Sequence, residues 1–224
     1  MIRFDPALSC PYVIKSGKHK TNKNDTRREF VAFRLLVQGD LACFRRPEFS
    51  ADLVSYDAMP PVSARNIFQA IHGPPSIRWV IEQIAILHPI RRHWAMVDNR
   101  GAEPRRANVL VDVSYLVTAR FDLTAVADPA DTAAAHAGLF RRRIRQGRYH
   151  YPLFLGLTEF PAVITLLEKH DTPPASCYVS QSIDLGWMIY DTRNGQDHGR
   201  RFFRASAVAG TITIPPVDSS ELAG

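Results

Sequence analysis

The run from Val109 to Leu123 constrains the fold of this chain more than any other stretch, because every second residue in it is apolar. The apolar positions are Val109, Val111, Val113, Tyr115, Val117, Ala119, Phe121 and Leu123, and Asp112, Ser114, Thr118, Arg120 and Asp122 alternate with them. Side chains of a β-strand point alternately to the two faces of a sheet. This period of two therefore predicts a long strand that buries one face against a core.

Two other segments have the period of an α-helix. In the first, apolar residues recur at helical spacing after an expected N-cap at Ser63 and before the breaking sequence Gly73-Pro74-Pro75; they are Ala64, Ile67, Phe68 and Ile71. The second covers about residues 131–146 and ends at Gly147, and its apolar face consists of Ala133, Ala137, Phe140 and Ile144. Both patterns predict helices that pack on a sheet.

Shorter strands are predicted on both sides of these segments. Residues 30–38 form the first, and residues 77–86 form another, in which the apolar phase shifts after Ile81 and predicts a bulge near Gln83. We expect a further strand over residues 153–160 and a short helix over residues 163–169. A C-terminal β extension then covers residues 185–190, 201–208 and 211–214, with a turn at Ala209-Gly210.

From residue 30 to residue 160 the order of the elements is β-α-β-β-α-β. This order is typical of an α+β, ferredoxin-like core, in which two helices back a four-stranded antiparallel sheet. It divides the chain into a basic flexible arm (residues 1–29), the core (30–162, with an insert at 39–61) and a C-terminal β extension (163–224). Many activities share this architecture, so the fold class does not identify the function.

The positive charge of the chain is concentrated in two places. The formal net charge is +6 over 224 residues. One predicted loop holds Arg91, Arg92, Arg100, Arg105 and Arg106, and the end of the second helix holds Arg141, Arg142, Arg143, Arg145 and Arg148. Each cluster alone is compatible with a solvated surface. Together they favour an anionic partner, because the planar guanidinium group matches phosphate oxygens.

Several function classes lack their sequence signals. The three cysteines have neither the spacing of a disulfide framework nor that of a zinc site, and the glycine motifs that bind dinucleotides or phosphates are absent. The sequence has no apolar run long enough to span a membrane and no apolar signal segment. We therefore expect a cytoplasmic protein without a metal, a cofactor or a membrane partner.

Several segments resemble a known family in their order and spacing. They are the Gly39-Asp40 pair, the turn Phe44-Arg45-Arg46-Pro47-Glu48, the pair Ser55-Tyr56, the run from Pro60 to Trp79 in which a helix leads into a strand with Ile77-Arg78-Trp79, and the later segments 156–162 and 184–188. Together they resemble the Cas5 family of CRISPR effector complexes in its subtype I-C form. The resemblance covers roughly residues 30–215.

The resemblance implies a fold, a ligand and partners. It implies a ferredoxin-like core whose insert (39–61) forms a thumb against a neighbouring subunit and the RNA. The chain would bind the 5′ handle of CRISPR RNA (crRNA), cap the backbone of the Cascade complex, contact the backbone and large subunits, and meet target DNA only through the complex. Stacking aromatic rings and arginine suit single-stranded RNA. The RNA-binding candidates are Phe44, Arg45, Arg46, Arg65, Arg91, Arg92, Arg141, Arg142 and Arg148.

The resemblance also implies candidate catalytic residues. Some members cut precursor crRNA without a metal, using a tyrosine near the end of the first helix and a Lys-His pair early in the second. Those positions hold His72, Ala135 and His136 in this sequence. Cleavage of this kind needs a base for the ribose 2′-hydroxyl, a cation for the phosphate and an acid for the 5′ oxygen. The two histidines could supply base and acid, and the missing lysine would leave the cation to Arg141 or Arg142.

Three hypotheses about function remain open from the sequence. The first is a Cascade subunit that binds the crRNA handle and is also a metal-independent endoribonuclease, whose product ends in a 2′,3′-cyclic phosphate. The second is the same subunit without nuclease activity, in which His136 is inherited and His72 is only a polar residue at a helix end. The third is a ferredoxin-like RNA-binding module unrelated to CRISPR systems.

Overall fold

The computed structural model describes residues 32–49, 51–99, 102–192 and 199–224, so the predicted basic arm lies outside the described residues. The elements within these ranges are β1 (Phe33–Ala42), β2 (Leu53–Val54), α1 (Pro61–Ile71), β3 (Ile77–Ile86), β4 (Arg92–Asn99), β5 (Ala102–Leu123), α2 (Ala133–Gln146), β6 (Val163–Leu167), β7 (Ser182–Thr192), β8 (Arg200–Val208) and β9 (Thr211–Thr213). None of the helices in the described ranges is long and apolar enough to cross a membrane.

The described strands form a single nine-stranded sheet with the order β6-β1-β5-β3-β9-β8-β7, to which β2 and β4 add by pairing with β5. The pairings of β1 with β5 and β6, and of β3 with β5, are all antiparallel. The elements β1, α1, β3, β5, α2 and β6 follow one another in the predicted order. The predicted α+β class, an antiparallel sheet with two helices, is confirmed.

Five aromatic rings join the sheet to both helices. Phe33 of β1 lies 4.8 Å from Phe140 of α2 and 5.6 Å from Trp79 of β3, measured between ring centroids. Phe68 of α1 stacks on Phe140 at 5.6 Å, and Phe121 of β5 meets Trp79 at 5.3 Å. Because strands and helices share this cluster, both helices pack on the same face of the sheet. The C-terminal end of α1 and the first turn of α2 are therefore held over that face.

Several local predictions are confirmed. The register between β3 and β5 shifts between Ile81 and Gln83, where the bulge was expected. Helix α2 ends at Gly147, whose backbone is left-handed (φ 62°), and the turn at Ala209-Gly210 joins β8 to β9. In β5, the apolar residues from Val113 to Phe121 that lie on one face are buried, as the alternation predicts.

The prediction of a strand at residues 153–160 is wrong. These residues form a compact loop, in which Leu155 N donates to Phe160 O at 2.7 Å and Ala162 N donates to Leu153 O at 3.0 Å. Gly156 makes the loop possible, because its φ is 85° and a Cβ there would lie 2.0 Å from Cys43 O. The fourth strand of the core is β6, where a short helix was predicted. Its apolar residues suit either structure, and the open edge of β1 selects the strand.

Two further predictions are corrected by the structure. The basic segment expected to be a loop is a hairpin, since β4 pairs with a β5 strand that begins at Ala102 and not at Val109. The N-cap of α1 is Pro60 and not Ser63, and no side chain caps the helix. Proline at the first helical position, here Pro61, is favoured because its φ suits a helix and it has no N–H to leave unpaired. The proposed domain boundary after residue 162 stays a prediction.

Candidate functional site

Two histidines from different helices meet inside the protein. His72 is the C-cap of α1, and His136 lies in the first turn of α2. Nε2 of His72 lies 3.0 Å from Nδ1 of His136, and both residues are buried, with exposed fractions of 3% and 4%. Trp79 Nε1 donates to the His72 carbonyl oxygen at 2.7 Å, which holds this end of α1 on β3. The sequence proposed both residues, and the structure brings them into contact.

Asp131 and Ser76 complete the surroundings of His136. Asp131 Oδ1 lies 3.4 Å from His136 Nε2, and Ser76 Oγ lies 3.5 Å from the same nitrogen. Thr132, the residue after Asp131, caps α2: its Oγ1 accepts from Ala135 N at 3.2 Å. A threonine at this position satisfies one of the unpaired N–H groups of the helix. The sequence analysis missed Asp131, although its position just before the cap of α2 was a usable signal.

One pair of tautomers would make His72 the terminal base of this group. In it the ring proton of His136 lies on Nε2, beside the carboxylate of Asp131, which can only accept a hydrogen bond. His136 Nδ1 then carries a lone pair and accepts from Nε2–H of His72. This leaves a lone pair on His72 Nδ1, which is buried without a hydrogen-bond partner among the described residues. With these tautomers, Asp131, His136 and His72 form a chain of contacts that ends at His72 Nδ1.

The charge state of His72 fits this assignment. Burial, and after it the charges of Arg143, His136 and His150, lower the pKa of His72 from 6.5 to about 4. Both effects disfavour the charged form of the ring. His72 is therefore neutral at neutral pH and can accept a proton.

Arg143 is an arginine whose charge acts on His72. Arg143 Nη1 donates to Ile71 O at 2.9 Å, one residue before His72, and also contacts Nε2 of His150. The sequence analysis considered Arg141 and Arg142 and missed Arg143. Positions seven apart share a helix face at 3.6 residues per turn, so its spacing from His136 was the available signal.

The two arginines proposed as cations lie elsewhere. The guanidinium of Arg141 lies 5.1 Å from the centre of the Phe33 ring, and its Nε lies 3.8 Å from Glu168 Oε2. Arg142 and Arg148 are exposed near the end of α2. Ala135, at the lysine position of the family, is also exposed. None of these four side chains contacts either histidine among the described residues.

Three of the RNA-binding candidates are engaged inside the protein. Phe44 is buried, with its ring 6.1 Å from that of Tyr115, so in this structure its ring is not open to a base. Arg65 Nη1 lies 3.0 Å from Asp191 Oδ1, which ties α1 to β7. Arg46 lies over the ring of Tyr56 at 4.9 Å and pairs with Glu48 at 3.4 Å. Residue type alone does not predict these contacts within the protein.

The insert lies against the β4–β5 hairpin, which carries further arginines. Arg92 Nε donates to Asp57 Oδ1 at 2.9 Å, and Arg105 Nη2 donates to Ala51 O at 2.8 Å, so the hairpin and the insert form one surface. Arg106 lies 4.1 Å above the ring of Trp94, which is 43% exposed. We call this region the hairpin surface; it comprises Arg45, Arg91, Arg92, Trp94, Arg105 and Arg106. Arg91 is paired with Asp112.

A second basic region adjoins the end of α2. It is a groove of about 280 Å³ that we call the helix groove, and it is lined by Arg142, Arg143, Gln146, Arg148, Tyr149 and His150. Arginine and exposed aromatic side chains on an antiparallel sheet protein are typical of RNA-binding proteins.

Comparison with known proteins identifies the family. A family model described as "CRISPR-associated protein (Cas_Cas5)", in its Cas5d form, matches residues 32–215. The chain belongs to the Cas5 family of CRISPR-associated proteins, which confirms the resemblance found in the sequence.

Two curated relatives are similar over most of the chain. The CRISPR pre-crRNA endoribonuclease Cas5d of Mannheimia succiniciproducens is 33% identical over 218 residues, which cover 84% of this chain and 97% of that protein. The protein of the same name from Thermus thermophilus is 33% identical over 180 residues, which cover 75% of this chain and 76% of that protein.

Solved structures share the fold at lower identity. A crystal structure of a CRISPR-associated protein has a TM-score of 0.74 at 21% identity and covers 87% of this chain and 97% of its own. A functionally uncharacterized protein from Streptococcus mutans has a TM-score of 0.70, also at 21% identity, with the same coverage of 87% and 97%. Both support the α+β architecture.

Proposed function

We propose that this chain is the CRISPR subunit that binds the 5′ handle of crRNA and cleaves precursor crRNA without a metal. The observation that carries the proposal is the 3.0 Å contact between His72 and His136, beside which His72 Nδ1 is buried without a hydrogen-bond partner among the described residues. The names of the two curated relatives, which are 33% identical to this chain, support the same activity. Membership of the Cas5 family removes the hypothesis of an RNA-binding module unrelated to CRISPR systems.

The proposed reaction begins with a proton transfer to His72. Nδ1 of His72 accepts the proton of the ribose 2′-hydroxyl, and the oxygen then attacks the adjacent phosphorus. The bond from phosphorus to the 5′ oxygen breaks, and this oxygen receives the proton back from His72. The upstream product ends in a 2′,3′-cyclic phosphate and the downstream product in a 5′-hydroxyl. Asp131 and His136 act as positioning residues, because they hold the tautomer of His72.

The burial of the two imidazoles favours a second candidate function. At 3% and 4% exposure, neither ring is open to RNA in this conformation. A subunit that only binds the handle, with processing done elsewhere, needs no access to them. The nuclease proposal therefore requires the end of α1 or the first turn of α2 to move when RNA binds.

In both cases the hairpin surface is the proposed site for the handle. Arg45 is exposed and has no side-chain partner among the described residues, and Trp94, with Arg106 over its ring, is 43% exposed. Aromatic stacking combined with arginine is how sequence-tolerant single-stranded RNA binding is usually built. The proposed partners are crRNA, its precursor, and the backbone and large subunits of Cascade, with target DNA reached through the complex. This function places the chain in the cytoplasm.

One experiment separates the two candidates. The purified protein is incubated with end-labelled repeat RNA in EDTA, and the termini of any product are analysed. The nuclease proposal expects cleavage that EDTA does not inhibit and that stops when the 2′-hydroxyl at the cleavage point is replaced by hydrogen, while binding persists. Binding of the repeat RNA without any cleavage would support the handle-binding subunit instead.

A further inference from the structure

The helix groove is built against the same helix end that carries His72. His150 N donates to Ala70 O at 2.7 Å, and Arg148 N donates to Arg143 O at 3.0 Å. The left-handed Gly147 turns the chain back between them. These bonds hold the segment after α2 against the last turn of α1. The groove and the histidine pair therefore both contact the C-terminal end of α1.

Arg143 belongs both to the groove and to the surroundings of His72. Both of its described contacts, with Ile71 O and His150, are made by Nη1. A guanidinium has five N–H donors. The donors on Nη2 and Nε therefore remain without a partner among the described residues, and Arg143 lines the groove. Its bond to Ile71 O places Arg143 beside the residue that precedes His72.

The charge of the groove suits an anion. None of its lining residues is acidic, and three of them are arginines. The C-terminal end of a helix has a partial charge of about −0.5, which opposes an anion here, but three full positive charges outweigh it. Burial raises the pKa of Tyr149, so its hydroxyl stays protonated and can donate a hydrogen bond to an anion.

We propose that the helix groove binds a phosphate group of the RNA backbone beside the scissile bond, and that Arg143 is the catalytic cation. This inference rests on the proposed function. Arg143 would stabilise the charge that develops on the phosphate oxygens. Stabilisation of developing charge by a fixed cation is commonly among the largest contributions to the rate acceleration by an enzyme.

Arg143→Gln tests the catalytic half of the inference. We expect single-turnover cleavage of bound repeat RNA to slow by about a hundredfold or more, beyond any loss of affinity measured for the same variant. Arg143→Lys should recover part of the rate, since it keeps the charge. Arg145→Gln is the matched control: Arg145 lies on the same helix, is exposed and does not line the groove. It should cleave at nearly the wild-type rate.

Binding tests the groove independently of cleavage. With RNA that carries a 2′-deoxy sugar at the cleavage point, the Arg142→Gln, Arg148→Gln double variant should lower the slope of log affinity against log salt. The decrease should be about 0.7 for each lost phosphate contact to a single strand. Both positions are exposed, so these changes leave the packing of the chain intact.

The outcomes distinguish this inference from the proposed function. Wild-type protein that cleaves, together with an Arg143→Gln variant that cleaves equally fast, overturns the role of Arg143 and leaves the nuclease proposal in place. Wild-type protein that does not cleave overturns the nuclease proposal and the role of Arg143 with it. Phosphate binding in the helix groove is then tested by the slope of log affinity against log salt. An unchanged slope in the Arg142→Gln, Arg148→Gln double variant overturns it.

Discussion

Nε2 of His72 lies 3.0 Å from Nδ1 of His136, although the two residues are 64 positions apart in the chain. The contact exists because α1 and α2 pack on the same face of the sheet through the stacked rings of Phe68 and Phe140. The chemistry of the site depends on a packing geometry that no local motif specifies.

The first prediction concerns the pH dependence of stability. The folded state lowers the pKa of His72 from 6.5 to about 4, so between these values the unfolded chain binds a proton that the folded chain does not. The free energy of unfolding should therefore fall as the pH decreases from about 6.5 to about 4, by up to roughly 3 kcal/mol from this residue. Urea unfolding at pH 7 and pH 4.5 measures the difference.

His72→Gln should reduce this pH dependence, because glutamine does not titrate. The control is His93→Gln, since His93 is exposed on β4. An equal loss of stability on acidification in the wild type and in His72→Gln would contradict the assignment of a buried, neutral His72.

The second prediction concerns the three groups of the proposed relay. His72→Ala removes the base and should slow cleavage on the order of a hundredfold to ten-thousandfold. His136→Ala and Asp131→Asn should also slow it, because each disturbs the tautomer of His72, while binding of repeat RNA changes little. Single-turnover rates and binding titrations on the same RNA provide the comparison. Full activity of the His72→Ala, His136→Ala double variant would rule out this site.

The third prediction concerns Ala135, where the resemblance implied a lysine. Ala135→Lys places that charge at an exposed position of α2. If the site cleaves, the added cation should raise the single-turnover rate. Ala134→Lys is the matched control, because Ala134 is also exposed and adds the same charge one position away. An equal gain from both variants would indicate a general electrostatic effect and not a specific catalytic position.

The fourth prediction concerns the hairpin surface. The Arg45→Gln, Arg106→Gln double variant should bind handle RNA more weakly, and its slope of log affinity against log salt should fall by about 0.7 for each phosphate contact. Arg78→Gln is a suitable control, since Arg78 is exposed on β3 outside this surface and carries the same charge. A double variant with the wild-type slope would mean that the handle does not lie on the hairpin surface.

Local sequence patterns predicted most of the helices and strands. They failed where a segment is a strand only because it pairs with a neighbouring strand. The strict alternation of β5 and the helical period of α2 each specified one structure, because the residues themselves carry the period. Residues 163–167 are a short apolar run that is compatible with a helix or a strand, and they became β6 because β1 has an open edge. The arginine-rich segment after β3 looked like a loop because its hairpin pairing with β5 leaves weak alternation in the sequence.

The sequence by itself determined the α+β class, the family and the two histidines of the candidate site, since these follow from residue type, order and spacing. Only the tertiary structure decided which side chains act together. It buried Phe44, engaged Arg65 with Asp191, and placed Asp131 and Arg143 around the histidine pair. The physical reason is that hydrogen bonds and burial depend on distances between elements far apart in the chain, which the packing of helices on the sheet sets.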